Sequence, residues 1–152
     1  MEGGVPQGHM LLVSGNTGAG KTLLATHYAV SGLEAGEGVV WVGLEEPLPQ
    51  VRKSAAGHGW DLEQWEREGR LRFIGVPPLD IYPDQLLYQI TEAVEALGAA
   101  RVVLDSVSSL ETSVYHREQV CEFLIQVASY LKTRGTTCLM TFTNDQALQL
   151  AG

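Results

Sequence analysis

The sequence predicts an α/β fold of three layers, in which a mainly parallel sheet is covered by helices on both faces. Short apolar runs alternate with helical patterns along the whole chain. The runs are rich in valine and apolar at successive positions, as in strands that are buried on both sides. The chain has 152 residues, of which 45% are hydrophobic, and this suffices for one domain with a sizeable core.

Five strands are predicted from these apolar runs, and each is bounded by glycine, proline or polar residues. The first is uniformly apolar and therefore expected to be central, and the third is ended by Pro77 and Pro78. The predicted strands are residues 10–14, 39–44, 71–76, 102–105 and 136–143.

Five helices are predicted between the strands from apolar residues spaced three and four apart. Gly36, Gly98 and Gly135 are expected to stop three of them, since glycine is favoured just after a helix. Asp61 and Asp84 are expected to cap two helix starts. The predicted helices are residues 21–35, 48–57, 62–68, 84–97 and 116–134, with Leu87, Ile90, Val94 and Leu97 on one apolar face and Val120, Leu124, Val127 and Leu131 on another.

The charge and composition argue against several classes of partner. The net charge is −8 and the chain has only three lysines, whereas a nucleic-acid-binding domain usually presents a basic face. No apolar run is long enough to span a bilayer, and the N-terminus lacks a signal-peptide pattern. We therefore expect a cytoplasmic location with no membrane or nucleic-acid partner. Cys121 and Cys138 lack metal-ligand spacing and are expected to be reduced core thiols.

A phosphate-binding loop is predicted where the sequence GNTGAGKT follows the first strand and opens a helix, because it matches GxxxxGK[ST]. Backbone N–H groups of such a loop point inward at a phosphate, and the glycines permit the tight wrap. The helix start adds its positive dipole end. Lys21 would reach the β- and γ-phosphates of ATP and Thr22 would offer a hydroxyl to Mg²⁺. The predicted nucleotide-binding residues are Gly15, Asn16, Thr17, Gly18, Ala19, Gly20, Lys21 and Thr22.

Four further residues end or directly follow predicted strands, at the sheet edge where ligands collect. Asp105 ends the fourth strand and is expected to hold Mg²⁺, directly or through water. Glu45 and Glu46 follow the second strand and are expected to polarise the attacking water. Which glutamate acts stays open, because neighbouring side chains on an extended chain point in opposite directions. Asn144 is either a sensor of the γ-phosphate or a polar turn residue.

Several short segments together resemble the KaiC-like branch of the RecA superfamily of P-loop NTPases. Besides the phosphate loop, they are GGVPQG at residues 3–8, VGLEE at 42–46, GWDL at 59–62, LDSV at 104–107 and MTFTN at 140–144. The similarity covers nearly the whole chain. It implies an ATPase that assembles as a hexameric ring with ATP between subunits, and it makes Glu45 and Glu46 the catalytic glutamates beside Lys21. It also implies the spatial strand order 3-2-4-5-1.

The family pattern extends beyond this chain. A full domain of the family continues past the fifth strand with further strands beside the first, and with basic residues that reach a neighbour's phosphate. We therefore expect residues 1–152 to form one RecA-type core that is incomplete at its C-terminus and turns over slowly. The first strand is then expected to be an unpaired edge that is able to pair with another molecule.

Three other functions are compatible with a phosphate-binding loop in a chain of this kind. A nucleotide-dependent assembly or signalling switch would bind ATP with little turnover, and other proteins would be its partners. A RadA/RecA-like DNA-dependent ATPase needs DNA-binding loops, but residues 108–115 are short and carry no basic residue. A small-molecule kinase would need an acceptor pocket and an arginine-rich lid, and neither is evident in the sequence.

Overall fold

The computed structural model of the protein describes residues 8–15, 19–77, 81–111 and 117–143. Strands and helices alternate through these ranges as predicted. The strands are β1 (Met10–Gly15), β2 (Gly38–Gly43), β3 (Leu71–Gly75), β4 (Ala99–Asp105) and β5 (Thr137–Thr143). The helices are α1 (Ala19–Glu34), α2 (Leu48–Gly57), α3 (Leu62–Arg67), α4 (Pro83–Leu97), α5 (Ser108–Glu111) and α6 (Arg117–Thr133).

The sheet is parallel throughout, and its strand order is β3-β2-β4-β5-β1. This confirms the predicted order 3-2-4-5-1. Strand β5 lies between β1 and β4, so it is the neighbour of both strands that lead into the predicted nucleotide motifs. Within the described part of the chain, β1 pairs with β5 alone, and Leu12 on β1 is 66% exposed. Among the described residues the first strand is therefore an edge, as the family resemblance implies. The prediction from its apolar sequence that this strand is central is wrong, because the described chain does not cover both of its sides with helices and strands as it does for β2.

The core lies on both faces of the sheet, which confirms the three layers. Alternate residues of β2 show this directly. Val40 and Val42 belong to a buried cluster with residues of α4 and α6, whereas Val39 and Trp41 belong to a second cluster with residues of α1, α2 and α3. Each face of β2 is thus covered by helices, which explains its continuous apolar sequence.

The helix ends follow the expected signals with one exception. Asp61 caps α3 by accepting a hydrogen bond of 3.2 Å from the Gln64 N–H, and Gly98 ends α4 with φ of 59°. The prediction that Asp84 caps α4 is wrong, because the cap is Tyr82 and Asp84 lies in the first turn. Pro83 starts the helix earlier, since proline has its backbone angle preset and lacks an N–H that needs a partner.

The buried faces of α4 and α6 are rotated slightly from the predicted stripes. Leu86, Ala93 and Phe123 are fully buried, whereas three of the predicted positions, Leu87, Leu97 and Leu124, are only partly buried. Helix α5 was not predicted, since four residues are too few for a periodic pattern. None of the helices within the described ranges combines the length and the apolar character needed to cross a membrane.

Arg101 attaches the beginning of β4 to the C-terminal half of α1. Its guanidinium donates hydrogen bonds of 2.7 Å each to the Glu37 carboxylate and to the carbonyl of Tyr28. The guanidinium carbon also lies 4.8 Å from the centre of the Tyr28 ring. These contacts join residues 64 and 73 positions apart, so they are tertiary contacts that hold the helix on the sheet.

Candidate functional site

Lys21 and Thr22 lie in the first turn of α1, shortly after the end of β1 in the sequence. Strand β1 ends at Gly15 and α1 begins at Ala19. Lys21 is only 8% exposed, and its Cγ lies 3.2 Å from where a Cβ would stand on Gly15. The lysine side chain therefore lies over the end of β1. The predicted binding residues Asn16, Thr17 and Gly18 lie outside the described residues.

The two described glycines of the loop have different surroundings. A side chain at Gly15 would press on Lys21, whereas a Cβ at Gly20 would meet no described atom within 4 Å. Neither glycine has a positive φ. The need for glycine therefore differs between the two positions. At position 15 a larger residue would crowd Lys21, whereas at position 20 packing within the described chain does not require glycine.

Asp105 links the first turn of α1 to the end of β4. The Thr22 hydroxyl donates a 3.0 Å hydrogen bond to Asp105 Oδ2, and the Thr141 hydroxyl donates a 2.6 Å hydrogen bond to Oδ1. Asp105 is 4% exposed. The structure thus brings together two predicted site residues that are 83 positions apart in sequence, and it adds a third residue from β5.

Thr141 was not predicted as a site residue. It is fully buried in β5, in the otherwise apolar run of residues 138–142. A polar side chain at such a position needs a hydrogen-bond partner, because leaving it unpaired in the core is costly. That single polar interruption was the signal available in the sequence. It did not reveal that the partner is Asp105.

The two glutamates lie directly after a residue that is bonded to Asp105. The Leu44 N–H donates a 2.8 Å hydrogen bond to the Asp105 carbonyl, so the end of β2 is held beside the end of β4. Glu45 and Glu46 follow at this edge, where Glu45 is exposed and Glu46 is half-buried. The structure does not decide which glutamate acts. Asn144 lies outside the described residues.

The described residues do not form a protein cage for a metal ion. No group of three or more His, Cys, Asp or Glu side chains converges among them. Mg²⁺ in nucleotide sites usually has one or two protein carboxylates as ligands and takes its other ligands from phosphates and water. Thr22 and Asp105 have the oxygen ligands that Mg²⁺ prefers.

Comparison with known proteins identifies the family of the chain. A family model described as ATPase: KaiC matches residues 1–150. The circadian clock protein KaiC3 of Synechocystis sp. is 34% identical over 149 residues, which cover 92% of this chain and 30% of that protein. A UPF0273 protein of Saccharolobus solfataricus is 36% identical over 123 residues, covering 71% of this chain and 44% of that protein.

A solved structure shows the same fold. A KaiC-like protein from the hyperthermophilic archaeon Pyrococcus horikoshii superposes with a TM-score of 0.81 and 33% sequence identity, covering 93% of this chain and 64% of that one. The chain therefore spans less than half the length of either curated relative described above, and about two thirds of the solved structure. The family model, the relatives and the fold agree that the chain belongs to the KaiC family of P-loop ATPases in the RecA superfamily.

Proposed function

We propose that this chain binds Mg-ATP at the carboxyl edge of the sheet and hydrolyses it. The observation that carries the proposal is the 3.0 Å hydrogen bond between Thr22 in the first turn of α1 and Asp105 at the end of β4. These are the two residue types that share a magnesium ion in P-loop NTPases. Their contact in the chain itself supports a common role toward one ligand.

The described residues suit the phosphates and the cation. Lys21 is held at the start of α1, where its charge adds to the positive end of the helix. A Cβ on Gly20 would meet no described atom within 4 Å beyond its chain neighbours and the backbone of its own helix, which is compatible with a ligand at the start of α1. Thr22 and Asp105 would hold Mg²⁺, which when bound neutralises charge on the phosphates.

Hydrolysis would use a carboxylate on the neighbouring strand. The oxygen of a water attacks the γ-phosphorus, the bond from that phosphorus to the bridging oxygen breaks, and ADP leaves. The proton of the water passes to the carboxylate of Glu45 or Glu46. The bond from Leu44 to Asp105 supports this role, since it places the glutamate-bearing segment beside the cation ligand. Lys21 would stabilise the charge that develops on the phosphate.

Self-association is part of the same proposal. The family resemblance implies a hexameric ring with ATP between subunits, so a neighbour would complete the site and the isolated chain would turn over slowly. We treat residues 1–152 as a single ATPase core and Asn144 as a candidate γ-phosphate sensor. A cytoplasmic location and the lack of a nucleic-acid partner stay predictions, which rest on composition and the net charge of −8.

Calorimetric titration of the chain with Mg-ATP tests the proposal. Lys21→Ala should weaken binding at least tenfold, because it removes the charge at the phosphates. Lys132→Ala is the matched control, since it removes an exposed lysine at the end of α6. Urea unfolding of each variant verifies that the fold is intact. Equal binding by the wild type and Lys21→Ala would contradict a phosphate site at this loop.

A further inference from the structure

Thr141 lies on β5, between the two strands that carry the predicted nucleotide motifs, β1 and β4. In the sheet it is opposite Val13 of β1, two residues before Gly15. On its other side, the ladder between β4 and β5 ends with the pair Leu104 and Met140. The next residues of these two strands are Asp105 and Thr141. Side-chain hydrogen bonding thus continues the strand pairing where the backbone ladder stops.

Three hydrogen bonds join Thr141 to the last residue of β4 and to the two residues that follow it. Its hydroxyl donates to Asp105 Oδ1 at 2.6 Å. Its carbonyl accepts from the Val107 N–H at 2.9 Å and from the Ser106 hydroxyl at 3.2 Å. The bonds to the carbonyl hold the backbone around the aspartate. The bond from the hydroxyl is the one that acts on the carboxylate itself.

The orientation of the Asp105 carboxylate matters because rotation about its last side-chain bond is soft, with a broad range of accessible angles. A donor held rigidly in the sheet narrows that range. With Oδ1 engaged by Thr141, Oδ2 is directed to Thr22 at 3.0 Å. Thr141 is fully buried, so no solvent competes for its hydroxyl.

We propose that Thr141 is a positioning residue for divalent-cation binding, and that it acts through Asp105. This inference rests on the proposed function, because it takes Asp105 and Thr22 as the cation ligands. Partners that orient a metal ligand typically contribute about 10–100-fold to metal affinity. Thr141 makes no contribution to nucleotide binding without the cation, since its hydroxyl is directed at the carboxylate.

The variants separate the hydroxyl from the shape of the side chain. Thr141→Val keeps the branched shape and removes the donor, whereas Thr141→Ser keeps the donor and removes the methyl group. Thr141→Ala is a second variant without the hydroxyl, and it serves if the valine variant does not fold. Urea unfolding of all three gives their stabilities independently of any ligand.

The test measures cation affinity directly, with Mn²⁺ as the spectroscopic substitute for Mg²⁺. Mn²⁺ is titrated into the chain in the presence of ADP and followed by electron paramagnetic resonance. The affinity for Mn²⁺ should be at least tenfold weaker in Thr141→Val than in the wild type. Thr141→Ser should stay within about threefold of the wild type. ADP affinity in EDTA should change less than twofold in both variants. These expected changes follow from the size of ligand-orienting effects.

Each opposing result has a distinct meaning. Mn²⁺ affinity in Thr141→Val equal to that of the wild type would overturn the positioning role alone. An equal loss of ADP affinity in EDTA would also overturn it, because the effect would then be a general disturbance of the pocket. A loss in Thr141→Ser as large as that in Thr141→Val would exclude the hydroxyl as the cause. Failure of the wild type to bind ADP, with or without cation, would instead overturn the proposed function and this inference with it.

Discussion

Gly32 of α1 lies directly beneath the Arg101 side chain: a Cβ on Gly32 would stand 2.6 Å from Arg101 Cδ and 2.7 Å from its Nε. Arg101 cannot move aside freely, because its guanidinium is bonded to Glu37 and to the Tyr28 carbonyl. A helix-weakening residue is therefore kept inside a helix because it makes room for an arginine from the sheet.

Gly32→Ala should destabilise the protein by about 1 kcal/mol, because overpacking costs about 1–3 kcal/mol and alanine regains about 1 kcal/mol of helix propensity. Combined with Arg101→Ala, the same change should become stabilising, since the arginine atoms are gone and Glu37 Oε1, which would lie 3.0 Å from the new Cβ, is no longer held there by Arg101. Urea denaturation of both single variants and the double variant measures this coupling. Gly57→Ala is the matched control, because a Cβ there meets no described atom within 4 Å. If the changes in the free energy of unfolding of the two single variants simply added up in the double variant, the proposed crowding of Gly32 by Arg101 would be contradicted.

Cys138 should make stability fall with rising pH above about 8.5, the usual pKa of the unfolded thiol. Burial raises the pKa of the Cys138 thiol, so the native state retains a proton that the unfolded chain releases. The free energy of unfolding should therefore decrease by about 1.4 kcal/mol per pH unit in this window. The Tyr28 pKa is also raised by burial, so Tyr28 adds to the loss above about pH 10.

Urea unfolding in reductant at several pH values between about 7.5 and 10 checks this dependence. Cys138→Ala should remove most of the decrease below about pH 10, where tyrosine does not yet contribute. Cys121→Ala should retain the decrease, because Cys138 is intact in that variant. An unchanged slope in Cys138→Ala would show that another group is responsible.

Glu45→Gln and Glu46→Gln should have unequal effects on turnover. The variant that removes the base should lower the hydrolysis rate by about 10²–10⁴-fold, the usual contribution of general base catalysis, while Mg-ATP affinity stays within about threefold. Phosphate release at saturating Mg-ATP gives the rate, and calorimetry gives the affinity. If the wild type binds Mg-ATP but shows no measurable turnover even at concentrations where it associates, and neither variant differs from it, the result favours a nucleotide-dependent switch over an ATPase.

Leu12→Lys should reduce association through the free edge of β1. Leu12 is 66% exposed on a strand that pairs only with β5 among the described residues, and a charged side chain discourages edge-to-edge pairing. Sedimentation velocity over a concentration series should show associated wild type and a shift toward monomer in the variant. Ile125→Lys is the control, since Ile125 is 67% exposed but lies on α6. Equal shifts in both variants would indicate general apolar contact instead.

Much of the fold was predictable from local patterns. Apolar runs located all five strands, and glycines marked the ends of three helices, because both signals act within a few residues. Boundaries were less accurate, and β4 begins at Ala99 although the prediction began at residue 102. Its first pairing, of Ala99 with Gly38, lies at a register irregularity that depends on the neighbouring strand and leaves no local pattern.

The site was predictable to a smaller extent. Lys21, Thr22 and Asp105 were named from motifs, since each motif encodes its own ligand chemistry within a short segment. The hydrogen bonds that join Thr22 and Thr141 to Asp105 depend on which strands are neighbours. Spacing along one chain contains no such information. The Arg101 contacts escaped prediction for the same reason, because an arginine in a strand does not indicate which helix it will meet.

The Arg101 contacts have a mechanical consequence when they are combined with the bond from Thr22 to Asp105. Both sets of contacts connect α1 with β4, one near the beginning of the strand at Arg101 and the other at its end at Asp105, about 13 Å apart by the rise of a strand. A contact at one position would let the helix rotate about that point, whereas contacts at two separated positions oppose the rotation. Nucleotide exchange is therefore expected to leave the angle between α1 and β4 unchanged, and α1 with β4 should behave as a single rigid frame.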